Sequence, residues 1–344
     1  MPTDSTAAAQ GYRWPAEWEA HAATWVAWPH NQETWPGKFD VIPPLFTELI
    51  RTLAEFETVH VLAGGEHVLA QANSLVGRID NVKLFNIPTN DAWCRDYGPT
   101  FLSALSQVPP ALVDWRYNAW GGKYPPYDQD NDVPQHIAAT IGHDRFIADC
   151  VLEGGAIDGN GQGSVLTTRS CLLNPNRNPE RTPGQIERLL HDHLGARKVI
   201  WLPRGELAGD DTDGHVDQLA RFVSATTVVV ALSEHSDDVN REPLRENYEF
   251  LRRASDQEGN SLQVVPLPQP APKRFRGQPL PTSYCNFYLA NGAVLVPQFE
   301  DPADQKAVRI LSELFPEREV RGLPALDLVW GLGAWHCVTL QQPA

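Results

Sequence analysis

The sequence predicts an α/β fold built from repeats. Helical and strand periodicities alternate along the 344 residues. Five times an amphipathic helix precedes a short apolar strand run, and each pair is followed by a polar, mostly Gly-containing segment. Markers in those five segments are Asp96, Glu153, His215, Cys285 and Cys337, spaced by 57, 62, 70 and 52 residues. A loose period near ~60 residues suggests five supersecondary units around a centre, with element ends converging on one axis. An ordinary open α/β sheet with loops at its strand ends fits the same pattern.

The elements follow in order. Residues 44–56 (PLFTELIRTLAEF) form the first predicted helix and 58–63 the strand after it. A short helix at 133–141 leads into a strand at 145–152. Residues 183–194 (PGQIERLLHDHL) open with Pro at the first helical position, where its missing N–H costs nothing, and lead to a strand at 198–202. Helices at 242–255 and 304–315 precede strands at 261–266 and near 319–322. The Pro-rich stretch 266–282 (PLPQPAPKRFRGQPLPT) reads as a long surface loop, placed where it could cover a pocket.

Composition narrows the function. The net charge of −15 argues against nucleic-acid or acidic-membrane surfaces, and it suits a small cationic substrate. Five scattered cysteines without a C-x-x-C do not form a disulfide framework, which points to a reducing cytoplasm. The start, MPTDSTAAAQGYRW, lacks the basic and apolar regions of a signal peptide. No stretch approaches the ~20 apolar residues of a membrane span. The 11 tryptophans gather at 14–35 and 93–120, as in an aromatic-lined pocket or a Trp-rich core.

Chemistry-bearing residues sit in the polar segments. GLGAWHC places His336 beside Cys337. On an extended chain neighbouring side chains diverge, which would turn His336 away from the thiol. In GHVDQ, His215 and Asp217 are two apart; on a strand they share a face, with the imidazole as acid/base and the carboxylate as acceptor for a cation. NDAWCRDYGPT supplies Asp91, Trp93 and Asp96, a ring and acids suited to a planar cation, although an Arg95–Asp96 pair bracing a turn fits as well. Glu153 in LEGGAID adds a carboxylate, or marks a plain turn. A thiol, an imidazole and several carboxylates together suit a guanidinium, whose planar fork of five N–H donors calls for acids.

These motifs resemble the agmatine deiminase family, within the guanidine-modifying enzymes that include bacterial peptidylarginine deiminases. The resemblance rests on PAEWEAHAATWVAWP, NDAWCRDYGPTF, NAWGGKYPPYDQDNDVP, LEGGAIDGNGQGSVLTT, the GHVDQ region and HCVTLQQP, in that order. It implies a five-bladed α/β propeller with pseudo-fivefold symmetry, one catalytic domain over 1–344, and hydrolysis without cofactor or metal. Carried onto this chain, Cys337 is the nucleophile and His215 the acid/base. Asp96 and Asp217 grip the guanidinium, and Glu153 is a further active-site acid. Trp93 is an aromatic wall, and Asp211 and Asp91 are acids on the substrate side. Asp213 departs from the family's expected Asn.

The expected reaction turns agmatine into N-carbamoylputrescine and ammonia; an arginine or peptidylarginine deiminase is the nearest alternative, with Lys123 or Arg95 meeting the substrate carboxylate. A metal-dependent hydrolase on Asp210, Asp211, Asp213, His215 and Asp217, and a non-catalytic guanidine-binding protein, are the readings from other classes. The expected partner is a small guanidino cation, with a homodimer as the assembly the sequence allows.

Overall fold

Five short antiparallel strand pairs, each extended by a parallel strand, organise the chain. The structure is a computed structural model and describes residues 6–104 and 109–344. Met1–Ser5, part of the stretch read for a signal peptide, lies outside them.

The repeated unit is clearest at Ile157–Gly159, which pairs antiparallel with Ser164–Thr168. That strand pairs parallel with Lys198–Leu202, reached through the helix Pro183–Leu194. The same order recurs three more times. Thr100–Ala104, Ala111–Arg116 and Asp144–Val151 form one such sheet, with Tyr12–Arg13 added at its edge. Ala220–Phe222, Thr227–Leu232 and Gln263–Pro268 form another. Tyr288–Ala290, Ala293–Gln298 and Glu319–Pro324 form the next. The fifth sheet joins the two ends of the chain: Thr339–Pro343 pairs antiparallel with His21–Ala27, which continues in parallel to Val59–Leu62 and Val82–Phe85. Among the described residues these are five small sheets and a separate two-stranded hairpin, so the single open sheet is excluded.

The helices form for local reasons and bury one face each. Pro183–Leu194 carries a capping box, in which Thr182 accepts from the Gln185 N–H and the Gln185 side chain accepts from the Thr182 N–H. Such a cap stabilises a helix by about 1 kcal/mol. Gly195 ends the helix in the left-handed conformation at φ 71°, which only glycine adopts without strain. Ile186, Leu190 and Leu194, at helical spacing, form its buried face. The other crossover helices run Ile42–Ala54, Asp128–Ile141, Arg241–Leu251 and Asp304–Leu314. The helix predicted at 133–141 starts earlier, because Asp128 and Asp130 favour a helix N-terminus.

The Pro-rich stretch is less of a surface loop than predicted. Its first residues complete the strand Gln263–Pro268, and Leu280 and Thr282 are buried. The exposed part is a hairpin, Arg274–Phe275 with Gln278–Pro279, held against Trp330 by a ring contact of 3.9 Å from Phe275.

Each unit places one short turn just before its first strand. These are Cys94–Tyr97, Gly154–Ala156, Val216–Gln218, Tyr284–Asn286 and the turn at 335–338. They carry Asp96, Glu153 (as the preceding cap), His215 with Asp217, Asn286, and Cys337. The repeat therefore delivers six polar groups from five distant stretches of sequence to equivalent turns.

Candidate active site

Gly155 shows how tightly three of these segments meet. A Cβ on it would lie 2.7 Å from His215 Nδ1, 2.8 Å from Asp96 Oδ1 and 3.0 Å from Asp217 Oδ2. Its own N–H donates to Asp96 Oδ1 at 3.0 Å, and Trp120 Nε1 donates to the other oxygen at 2.9 Å. Arg95 does not brace Asp96. Its guanidinium turns to Gln341, the His336 carbonyl and Glu17.

His215 and Asp217 converge, but not on a strand. Val216–Gln218 is a single 3-10 turn, and the bend brings both side chains inward. The Thr212 hydroxyl accepts from the His215 N–H at 3.0 Å. The ring lies between carboxylates, with Nδ1 3.6 Å from Asp96 and Nε2 3.8 Å from Glu153. Glu153 is anchored on its other side by Arg177 Nε at 2.6 Å, and neither side chain is exposed.

Cys337 also lies in a turn; the strand starts only at Thr339. The divergence of adjacent side chains expected for an extended chain therefore does not govern His336. The sulfur accepts from Asn286 Nδ2 at 3.1 Å and contacts Asp217 Oδ2 at 3.6 Å. His336 reaches that same Asp217 oxygen with Nδ1 at 2.8 Å, while its Nε2 meets Glu17 at 2.8 Å. It is thus linked to the thiol through Asp217. Gly333 fits between Trp93 and Cys337, because a Cβ there would stand 2.5 Å from the indole and 3.0 Å from the cysteine Cβ.

The groups beyond this centre divide. Trp93 is buried against Trp35, with ring centres 5.4 Å apart. Asp91 is held by Thr34 and the Ala92 N–H, each at 2.7 Å, and burial pushes its carboxyl up to about 6. Asp211 accepts from the Tyr124 hydroxyl. Asp213 accepts from Lys123, Arg177 and Asn176. Its φ of 65° lies in the left-handed region that Asn and Asp tolerate best, which is how Asp replaces the expected Asn. Asp210 caps its own turn through Thr212 and Gly214. The acid run thus disperses, and it does not form one metal cluster with His215 and Asp217.

Burial and charge set the protonation states. Burial, with Asp217 and Asp96 close by, pushes the Cys337 thiol well above its ordinary range despite Asn286. Burial would lower the His215 imidazole, but Asp96, Cys171 and Glu153 outweigh it and raise it well above its usual value. Burial also lifts Asp96 to about 6 against the pull of His215. Asp217 goes the other way: burial opposes ionisation, but His336 and His215 hold its carboxyl below the usual range. The substrate-free site is therefore a protonated thiol, an imidazolium and ionised or readily ionised acids.

Unpaired polar atoms mark where a ligand belongs. Asp217 Oδ1 and both His215 nitrogens are buried without a hydrogen-bond partner. Leaving such groups unmet costs about 1–3 kcal/mol each. Two donors on a cation would meet the acid, and a reacting nitrogen would meet the imidazole.

Sequence reasoning missed Arg177, Asn286, Trp120 and Glu17. Asn286 lies in the fourth polar segment, so the repeat itself marked its position. Glu17 lies in PAEWEAHAATWVAWP, a motif that shows no chemistry until the fold brings it to His336.

The chain is similar to known proteins along almost its whole length. A relative from Selenomonas ruminantium, named provisionally as an agmatine deiminase, is 38% identical over all of this chain and 99% of its own. The structure titled agmatine deiminase of Enterococcus faecalis, catalysing its reaction, superposes with a TM-score of 0.92 at 31% identity, covering 99% of this chain and 98% of that one. A C. jejuni agmatine deiminase with a cysteine-to-serine substitution and substrate bound gives 0.88 at 29% identity, over 97% and 96% of the two chains. The family model for Porphyromonas-type peptidyl-arginine deiminase matches residues 13–343, and the chain belongs to that family.

Proposed function

We propose that this protein is a cytoplasmic agmatine deiminase, working as one catalytic unit whose five sheets stand as propeller blades around Cys337. The observation that carries the reading is the convergence of the Cys337 sulfur, an unpaired Asp217 oxygen and the unpaired His215 ring in one buried site.

Asp96 and Asp217 take N–H donors of the guanidinium and fix its carbon over the sulfur, which removes much of the entropic barrier. The incoming cation offsets the burial and the acids that hold the thiol protonated, so the thiol releases its proton to solvent as the complex forms and leaves the thiolate. Its lone pair attacks the guanidinium carbon. His215, an imidazolium, gives its proton to the departing nitrogen, and ammonia leaves a covalent thiouronium. The now neutral His215 takes a proton from water, the hydroxide adds to the same carbon, and collapse expels the thiolate. The ureido product remains, N-carbamoylputrescine from agmatine.

A specific observation favours agmatine over arginine. The two cations that could meet an arginine carboxylate are already committed. Lys123 pairs with Asp213 at 2.8 Å, and Arg95 is buried against Gln341 and Glu17. Asp211 and Asp91 remain on the substrate side as acids for a distal ammonium.

The test is ammonia release from agmatine, arginine and a peptidyl arginine, measured side by side for wild type, Cys337→Ala and Cys337→Ser. Agmatine turnover by wild type alone is expected, with both variants inactive but still binding agmatine. Near-normal turnover in Cys337→Ala would sink the mechanism, and citrulline formation without agmatine turnover would select arginine chemistry.

A further inference from the structure

Glu153, Cys171 and His215 aim one ligand atom each at a common point. The carboxylate oxygen, the sulfur and the imidazole nitrogen all lie within 4.8 Å of one another, and all three residues are buried. Glu153 Oε2 is 3.9 Å from the Cys171 sulfur and 3.8 Å from His215 Nε2. Zinc bonds of about 2.0–2.3 Å at tetrahedral angles hold neighbouring ligand atoms roughly 3.3–3.6 Å apart, so the two Glu153 edges need to shorten by a few tenths of an ångström, and the Cys171–His215 edge, within 4.8 Å, has to close with them.

Each ligand is prepared for the role. Arg177 occupies Glu153 Oε1, which leaves Oε2 facing inward. Thr168 caps the one-turn helix Arg169–Leu172 and so fixes Cys171. The His215 ring is 1% exposed, and neither nitrogen has a hydrogen-bond partner. Asp96 faces Nδ1, so an Nδ1–H directed at that acid leaves Nε2 toward Glu153 and Cys171, where the ion would take the place of its proton. A carboxylate behind the second ring nitrogen is the usual support of a metal-bound imidazole. The opposing charge is Arg177, which Asp213 shares at 2.7 Å. The sulfur and imidazole ligands favour zinc over hard, oxygen-seeking ions.

We propose that Glu153, Cys171 and His215 bind one Zn²⁺ ion, which holds His215 and silences the enzyme reversibly. The ion displaces the thiol proton of Cys171 and the Nε2 proton of His215 to solvent, and water completes its coordination. A metal-bound His215 no longer supplies the imidazolium that the leaving nitrogen requires. That inhibitory consequence rests on the deiminase reading; the binding does not.

The experiment titrates the metal-free, full-length protein with Co²⁺, whose thiolate charge-transfer band reports a sulfur ligand, and with Zn²⁺ by equilibrium dialysis. Wild type and Cys337→Ala are expected to bind one equivalent and show the band. Cys171→Ala and Cys171→Ser are expected to lose the band and bind Zn²⁺ at least tenfold more weakly. Thermal melts confirm the fold, and the serine variant serves if alanine is not tolerated. A band lost in Cys337→Ala but kept in the Cys171 variants would put the metal on the nucleophile and overturn the proposal. No stoichiometric binding by wild type would overturn it too. Metal binding by a wild type that releases no ammonia from any guanidine would remove the deiminase reading and leave the site standing.

Discussion

His336 Nδ1 lies 2.8 Å from Asp217 Oδ2, and the same oxygen lies 3.6 Å from the Cys337 sulfur. The residue beside Cys337 thus contacts the same acid as the sulfur does. Its other nitrogen meets Glu17 at 2.8 Å. The ring thus bridges two buried carboxylates, one at each nitrogen.

His336→Gln is therefore expected to lower kcat/KM for agmatine on the order of 10²-fold, the scale of losing one preorganised charge contact in a dry site. Glutamine can reach one acid but not bridge both, so Asp217 is left free to turn away from the sulfur. Steady-state kinetics with agmatine decide this. Wild-type kcat/KM in His336→Gln would mean that Asn286 and the backbone alone hold the site.

Glu17 should couple this buried network to acid stability. Burial opposes its ionisation, but Arg221, His336 and Arg95 outweigh that and hold its carboxyl well below the usual 4.5. A depressed folded-state pKa adds stability that is fully present above the unfolded value of 4.5. That stability disappears as pH falls through the folded value. Glu17→Gln is expected to cost about 3–5 kcal/mol at pH 7, as for other broken buried pairs. The gap to wild type should shrink steadily below pH 4.5. Urea unfolding at several pH values tests it, and a gap independent of pH would contradict the assignment.

The fold was legible because its repeat was written in periodicity. The helix Pro183–Leu194 and the strand Lys198–Leu202 coincide with the sequence expectation, since a cap, a proline and a glycine bound the first. The helix Glu66–Val76 was not legible, for only Ala72 and Val76 are buried and its apolar stripe is weak. The site was legible where residue chemistry is unusual, as at Cys337 and His215. It was not legible where roles depend on distant neighbours. Glu17 lies 319 positions from His336, and no local pattern encodes that contact. The local conformations assumed for GHVDQ and GLGAWHC were also wrong. Both are turns, and turning rather than alternation aims their side chains.

Gly155→Ala should damage catalysis more than folding. The added methyl would press on His215, Asp96 and Asp217 together, at 2.7–3.0 Å. Relief requires the three to spread, which costs about 1–3 kcal/mol in overpacking. It also spoils the geometry in which a 1 Å error costs about 10²-fold. The expected result is a folded protein, by thermal melt, with kcat/KM for agmatine reduced on that scale. Normal turnover would show that the acids have slack the structure does not suggest.

Arg177 ties Glu153 to the loop that carries His215, and its replacement should uncouple them. Its Nε donates to Glu153 at 2.6 Å, while its other nitrogens reach Asp213 at 2.7 Å and the Thr212 carbonyl at 3.0 Å. Thr212 in turn holds the His215 N–H. Arg177→Ala leaves Glu153 buried and uncompensated, an expected cost of about 3–5 kcal/mol. Arg177→Lys keeps the charge, but a single ammonium cannot span a carboxylate, a second acid and a carbonyl in one plane. It should recover part of the stability in urea unfolding while kcat/KM for agmatine stays well below wild type. Full recovery of both by lysine would reduce Arg177 to a simple counter-ion.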